Sequence, residues 1–462
     1  MASNVSDDQR HRLDEKDDAD YEVILAEFES FIRKPKEEQL QELMQHPWEA
    51  LSSPKTPNGS TLFASPPAHD RFVQIAKRGL KHLGVAAKRH RLEVILPRLQ
   101  EEFVSRLIAK ADINPQNAHS VFEAAVAKAE ASYEALTFYV PCSVVAHRAC
   151  DRFSIGPVTF VIRESFLREH ETAIRESATT ENLTFTNILL ERTNTFYTEF
   201  QWIACLSVPA CDRQIAKKRA LAGVQKALDV FKLVVGGERA AHVKQGYDSR
   251  VPEAHAELVS KASGEFSILL GGKMQDAVVN DDWYAQVISA PFWPLIQSVL
   301  FSWWNNWDHA EEIEVRFLDA LAWHSDAISE HEAGAKIVKF WTAIERILSA
   351  VHGSIAPRAA VLCAEPGAFL AKEQQFSGLY QKRSDVVHGG SNRSDEAWYA
   401  EAARASEEAA RGVLFQYLYY MPTIRRSRMA TTKKKLQSWI NGLDNLAKRE
   451  RASNKLKLPR GG

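Results

Sequence analysis

Cysteine is scarce in this sequence. Its 462 residues include five, Cys142, Cys150, Cys205, Cys211 and Cys363, an odd number with no Cys-x-x-Cys pair. That argues against a disulfide framework or a zinc ribbon and fits a reducing cytosol. Turn formers are thin as well: 21 glycines and 18 prolines are about two thirds of the usual share. Such a composition favours helices over a turn-rich all-β architecture. Net charge is nearly absent, with 58 basic against 59 acidic residues, so any nucleic-acid surface must be local. The first twenty residues hold seven acidic and three basic side chains and no apolar run, which reads as neither a signal peptide nor a presequence. A long apolar run is also missing. Trp283 to Trp307 carries no charge, but Gln286, Ser289, Gln297, Ser302 and Asn305 interrupt it, and Pro291 and Pro294 lie inside it. Polar groups at that frequency are costly in lipid. A buried helix with aromatic packing is the better reading, and the expected location is the cytoplasm, with no membrane partner.

The length implies two or three domains. Residues 1–69 read as an acidic disordered start, one amphipathic helix from Tyr21 to Gln45, and a Pro/Ser-rich linker from His46 to His69. Residues 70–311 read as an α+β sensing or binding domain. It begins helical, with Leu92, Ile95, Leu99 and Phe103 as an apolar stripe. Strand-like runs follow over Leu136–Ile162, Thr195–Val208 and Phe266–Leu270, and a helix over Ala216–Leu233 ends at Gly236-Gly237. Residues 312–422 read as a helical domain whose last helix stops at Pro422. The tail, 423–462, is basic: from Arg425 onward twelve Lys and Arg face only Asp444 and Glu450. The expected fold class is α+β and predominantly α-helical, a mixed region with a small sheet followed by a helical bundle.

Two glycine pairs, Gly236-Gly237 and Gly271-Gly272, invite a phosphate-loop reading. Neither has the Gly-x-x-x-x-Gly-Lys-Ser/Thr spacing that wraps a phosphate, so both are expected to be turns. His69, His82 and His90 have no carboxylate or cysteine at ligand spacing; no metal and no other cofactor is expected. The informative segment is Leu379 to Gly390, LYQKRSDVVHGG. Arg383 is followed by Ser384 and Asp385, and His388 by two glycines that supply a helix end. On a continuous helix the five-residue separation is a rotation of about 140°; at a helix end His388 can turn toward the arginine.

This segment resembles the motif of the HEPN superfamily, an Arg with a polar residue after it and a His four to six residues on. Within that superfamily it is similar to the Apea-like HEPN family. Phe340 to Leu348 looks like the family's second helix, with Glu345 in its acidic position, and Ile355 to Leu362 like the short helix that follows. The resemblance covers residues 313–421. It implies a helical bundle that forms a homodimer, RNA as substrate, and a composite site from two motifs, with Arg383 and His388 as catalytic residues. It also implies a setting in antiviral (phage) defence or toxin-like growth arrest.

The chemistry of the residues agrees with that expectation. RNA carries its own nucleophile, the 2′-hydroxyl. Histidine can take and give the protons, and arginine offers a fixed fork to phosphate oxygens. No metal is needed. Ser384 or Asp385 would orient His388 or bind the ribose, and Glu345 would hold Arg383. The tail, through Arg425, Arg426, Arg428, Lys433, Lys434 and Lys435, would hold RNA in a salt-sensitive way, or form a solvated terminus. Leu436, Trp439, Ile440 and Leu443 have helical spacing, so part of it can dock. The competing expectation is a non-catalytic HEPN protein, a nucleotide- or RNA-binding dimerisation or scaffold module.

Overall fold

In the computed structural model, the described residues are 7–45, 65–111, 113–144, 150–181, 200–241, 243–246, 254–272, 288–349, 354–389, 396–427 and 432–457. They form two compact units, residues 1–136 with 208–219, and residues 137–207 with 220–462. The boundaries expected at 69, 311 and 422 coincide with neither edge. The chain leaves the first unit at the start of the sheet and returns to it for a short span, which a linear division of the sequence does not anticipate.

The first unit is helical. Its elements are α1 (Asp7–Arg33), α2 (Lys36–Gln45), α3 (Pro66–Leu83), a 3₁₀ turn (Gly84–Arg89), α4 (Leu92–Ile108) and α5 (His119–Glu130). Tyr21, Ile24 and Phe28 of α1 pack with Phe72 and Ile75, Leu99 and Phe103, and Phe122. Tyr21 stacks on Phe103 at 4.9 Å between ring centres. Most of the acidic start, expected to be disordered, is the first half of α1. Asp14, Asp17 and Asp20 recur at three-residue spacing on one face and are buried. Asp17 accepts from Arg78 Nη2 at 2.7 Å, and so does Asp20. His119 Nδ1 lies 3.0 Å from Asp17, and the His119 backbone N–H donates to Asp14 at 2.6 Å, at the start of α5. Local composition counts these acids as solvated; their cations arrive from more than fifty residues away, so burial is compatible with charge. The helix expected over Tyr21–Gln45 is two helices, broken at Lys34 and Pro35. Of the expected linker, 46–64 lies outside the described residues. Its end, Pro66 to His69, opens α3: both prolines occupy first-turn positions, and the Ser65 side chain accepts the Ala68 N–H, a favourable start.

The second unit joins a sheet to a helical bundle. The strands are β1 (Leu136–Ser143), β2 (Arg152–Ile155), β3 (Val158–Ile162), β4 (Trp202–Val208), β5 (Lys244–Gln245), β6 (Ala254–Lys261) and β7 (Phe266–Gly272), in the order β2-β3-β4-β1-β6-β7, with β5 beside β1. β2 and β3 pair antiparallel across the turn at Gly156, as do β3 with β4 and β6 with β7. β1 is buried along almost its whole length, as a central strand covered on both faces must be. Two long helices provide the cover. Phe166 of α6 (Arg163–Glu181) packs with Tyr139, Val161 and Ile203. On the other face, Phe231 of α7 (Arg213–Val235) meets Phe153 and Phe160 edge-on at 5.4 and 5.7 Å. Gly271 and Gly272, expected as a turn, end β7 opposite His255 and Ala254.

A short helix α8 (Gly237–Ala241) follows α7. The bundle comprises α9 (Trp293–Asn305), α10 (Glu312–Ser329), α11 (Ala333–Leu348), α12 (Ile355–Cys363), α13 (Phe369–His388), α14 (Glu396–Arg426) and α15 (Lys433–Lys457). Among the described residues no helix is long and apolar enough to cross a membrane. α14 does not stop at Pro422; it continues to Arg426 with the proline inside. Its last turn is held by buried Ile424 and by Arg425, whose Nε lies 2.7 Å from Glu311 and whose Nη2 pairs with Glu314. These contacts offset the hydrogen bond that the proline forfeits. The basic tail docks. Leu436, Ile440, Leu443 and Ala447 of α15 are buried, and Asp444 grips the fully buried Arg358 of α12.

Candidate active site on helix α13

The inward face of α13 is set by Phe369, Phe376 and Leu379, all buried. The same spacing continues to Arg383 and then Val386, so the arginine occupies a core-facing position of an otherwise apolar stripe. Val386 packs into a small cluster with Ile337, Ala402, Ala403, Ala333 and Tyr399. Gly334 of α11 lies beside this cluster, where a Cβ would meet Val386 Cγ1 at 3.4 Å, an ordinary contact. α13 ends at Gly389, in the left-handed conformation, whose N–H donates to the Asp385 carbonyl. A residue with a Cβ is strained there.

Arg383 is partly exposed, but its Nε is buried and has no hydrogen-bond partner. Its guanidinium makes no ion pair among the described residues. His388 is the last helical residue and is exposed. The helix stays regular through it, and the turn is made by Gly389 instead. His388 therefore does not swing back to Arg383: the two remain about 140° apart around the axis and about 7 Å apart along it. One chain does not bring them together. Ser384 is partly buried and lies one turn before His388, on the same side. Asp385 accepts from Gln381 Nε2 at 2.7 Å, and Glu345 accepts the Trp341 indole N–H at 2.9 Å. Neither carboxylate holds the partner expected of it. The outer side of α13 shows Tyr380 and Val387, 49% and 48% exposed, with Ser384 between them.

The basic residues of the tail divide. Arg425 is occupied by Glu311 and by Glu314, whose carboxyl is pushed up by burial, so it serves the fold. Arg426 is exposed and, among the described residues, reaches only the Pro422 carbonyl, at 3.4 Å. Arg428 lies outside the described residues. Lys433, Lys434 and Lys435 stand exposed on the first turn of α15, where their charges add to the positive end of the helix. No group of three or more His, Cys, Asp or Glu able to hold a metal occurs among the described residues. The chain matches no family model, no curated protein and no solved structure.

Proposed function

We propose that this protein is a metal-independent endoribonuclease whose site is completed when two copies bring their α13 helices together. Arg383 carries the reading. A guanidinium placed in an apolar stripe, with its Nε shut away from water and no acceptor, is an unmet donor. A phosphate oxygen of RNA is an acceptor that suits its fork. His388 stands exposed at the end of the same helix, able to approach a substrate from the side. Two copies supply two histidines. One takes the proton of the 2′-hydroxyl as that oxygen attacks phosphorus. The other protonates the departing 5′-oxygen, so the products are a 2′,3′-cyclic phosphate and a 5′-hydroxyl. Tyr380 and Val387 give the outer side of α13 an apolar contact for the second copy. The setting we propose, antiviral defence or a toxin-like growth arrest, rests on the resemblance to the HEPN superfamily; cleavage of cellular RNA calls for control by the rest of the chain.

A second reading, a non-catalytic dimerisation or scaffold module, draws on the 140° separation and on the engagement of Asp385 and Glu345 elsewhere. One assay separates the two. Mixed cellular RNA is incubated in EDTA with wild type, Arg383→Ala, His388→Ala, and a mixture of the two variants. The proposal expects wild-type cleavage, a loss of roughly 10²–10⁴-fold in each variant, and no recovery in the mixture, because a dimer of one chain of each variant carries one histidine where the reaction uses two. Equal cleavage by wild type and His388→Ala, or activity that needs a metal, would sink it. A dimer that cuts nothing supports the scaffold.

A further inference from the structure

The bundle and the end of α7 line a half-open cavity of about 750 Å³ that the proposed reaction does not use, with Arg404 and Glu408 on its exposed side. Its wall is apolar where Val235, Ile328 and Phe340 line it, and charged where Lys336, Arg404, Arg411 and Glu407 do. Some of these charges are already engaged. Arg411 donates to the Leu233 and Val234 carbonyls at the end of α7, at 3.0 and 2.9 Å. Glu407 accepts the Gly237 N–H at 2.6 Å. Gly236 keeps this corner open: its φ is +66°, and a Cβ there would lie 2.5 Å from the Arg411 guanidinium. Lys336 and Arg404 remain, with no ion pair or side-chain hydrogen bond among the described residues, against one uncommitted carboxylate, Glu408. Behind the wall, His324 is fully buried, its ring 5.3 Å from that of Phe340 and neither nitrogen hydrogen-bonded. Burial first, then the charges of Arg411 and Lys232, push its imidazole down to about 3. It is a neutral ring with a donor and an acceptor unmet, packed against Phe340, which lines the cavity. The volume falls within the usual range for small-molecule sites.

We infer that this cavity binds a small organic anion with a flat apolar body, Lys336 and Arg404 taking the anionic group and the Phe340–Ile328 wall the apolar part. The site also bears on α13. Ala333 and Ala403 line the cavity and belong to the cluster that holds Val386, one of the four residues between Arg383 and His388. An occupant therefore lies one layer of alanine from the proposed catalytic helix and steadies its last turns. That such steadying regulates cleavage rests on the ribonuclease reading; the binding does not.

The test uses the full chain and titration calorimetry with 1-naphthyl phosphate as probe, with 1-naphthol and inorganic phosphate as controls for body and charge alone. Saturable one-site binding of the naphthyl phosphate is expected, with both controls much weaker. Lys336→Ala and Arg404→Ala should each weaken it roughly tenfold or more, with their melting curves unchanged. Arg383→Ala should bind as wild type does, so failure of the cleavage reading leaves this result standing. Hydrogen exchange at the amides of 383–388 should slow with the probe bound. The inference is overturned by no binding, by naphthol or phosphate binding as tightly, or by wild-type affinity in both variants. Unchanged exchange in α13 would remove the link between cavity and helix.

Discussion

Removing Asp444 should destabilise the protein more than removing the arginine it holds. Arg358 is completely buried, whereas the Asp444 side chain is 25% exposed. Nε and Nη2 of Arg358 donate to the two carboxylate oxygens at 2.8 and 2.7 Å. Nη1 donates to the Leu348 carbonyl at the end of α11, at 2.9 Å. In Asp444→Ala the buried guanidinium loses the carboxylate that takes two of its nitrogens, a loss of about 3–5 kcal/mol. In Arg358→Met the carboxylate can turn to water, and what remains unmet is a helix-end carbonyl, which costs about 1–3 kcal/mol. The double variant removes the orphaned charge and should recover about 2 kcal/mol relative to Asp444→Ala. Urea unfolding of the three variants gives the order. Timed trypsin digestion adds a local readout, because α15 carries Lys448, Arg449 and Arg451. An opening easier by about 4 kcal/mol speeds cleavage there on the order of 10³-fold when reclosing is fast. If Asp444→Ala lies within about 0.5 kcal/mol of wild type, or the double variant is the least stable of the three, the account of the docked tail is wrong.

His324 sets a pH dependence. Its imidazole titrates near 3 in the folded chain against an ordinary 6.5, so below pH 6.5 the unfolded chain gains a proton that the folded one refuses. The stability it contributes is present above that pH and is lost as pH falls toward 3. Between pH 7 and 5 wild type should lose roughly 2 kcal/mol that His324→Leu does not; parallel curves for the two in urea unfolding would contradict this. Arg425→Ala should lower stability by about 3 kcal/mol, because Glu314 loses its cation in a buried site, and leave RNA affinity alone. Changing Lys433, Lys434 and Lys435 to Ala should do the reverse: no shift in melting, and a salt slope of RNA binding shallower by about two. A drop in affinity in Arg425→Ala without a drop in stability would reverse these roles.

The sequence makes long amphipathic helices and runs of β-branched residues legible, because each carries its period within a short window. α7, α11 and most of α13 follow from that. It hides whatever depends on a distant partner. Asp14, Asp17 and Asp20 look solvated until Arg78 and His119 are beside them. Pro422 looks like a stop until Glu311 and Glu314 hold the turn after it. The cavity draws its wall from α7, α10, α11 and α14, so no window contains its pattern, and His324 gives no local sign that both nitrogens lack partners.

The same contrast sharpens the reading of Arg383. Arg78, Arg358 and Arg425 each place at least two guanidinium nitrogens on acids or carbonyls and act as architecture. Arg383 faces inward as they do and saturates nothing among the described residues. If it were architecture, its replacement would cost what theirs costs. A buried donor with no acceptor is instead a burden on the fold, of the kind carried where function needs it. Arg383→Met, which keeps the length of the stem and fills the apolar stripe, should therefore be neutral or stabilising by up to about 1 kcal/mol, and should abolish cleavage. Thermal melting and the RNA assay on the same preparation decide it. A loss of about 3 kcal/mol, the size expected for Arg425→Ala, would mean that Arg383 has a structural partner and that the unmet-donor argument fails, whatever the cleavage assay shows.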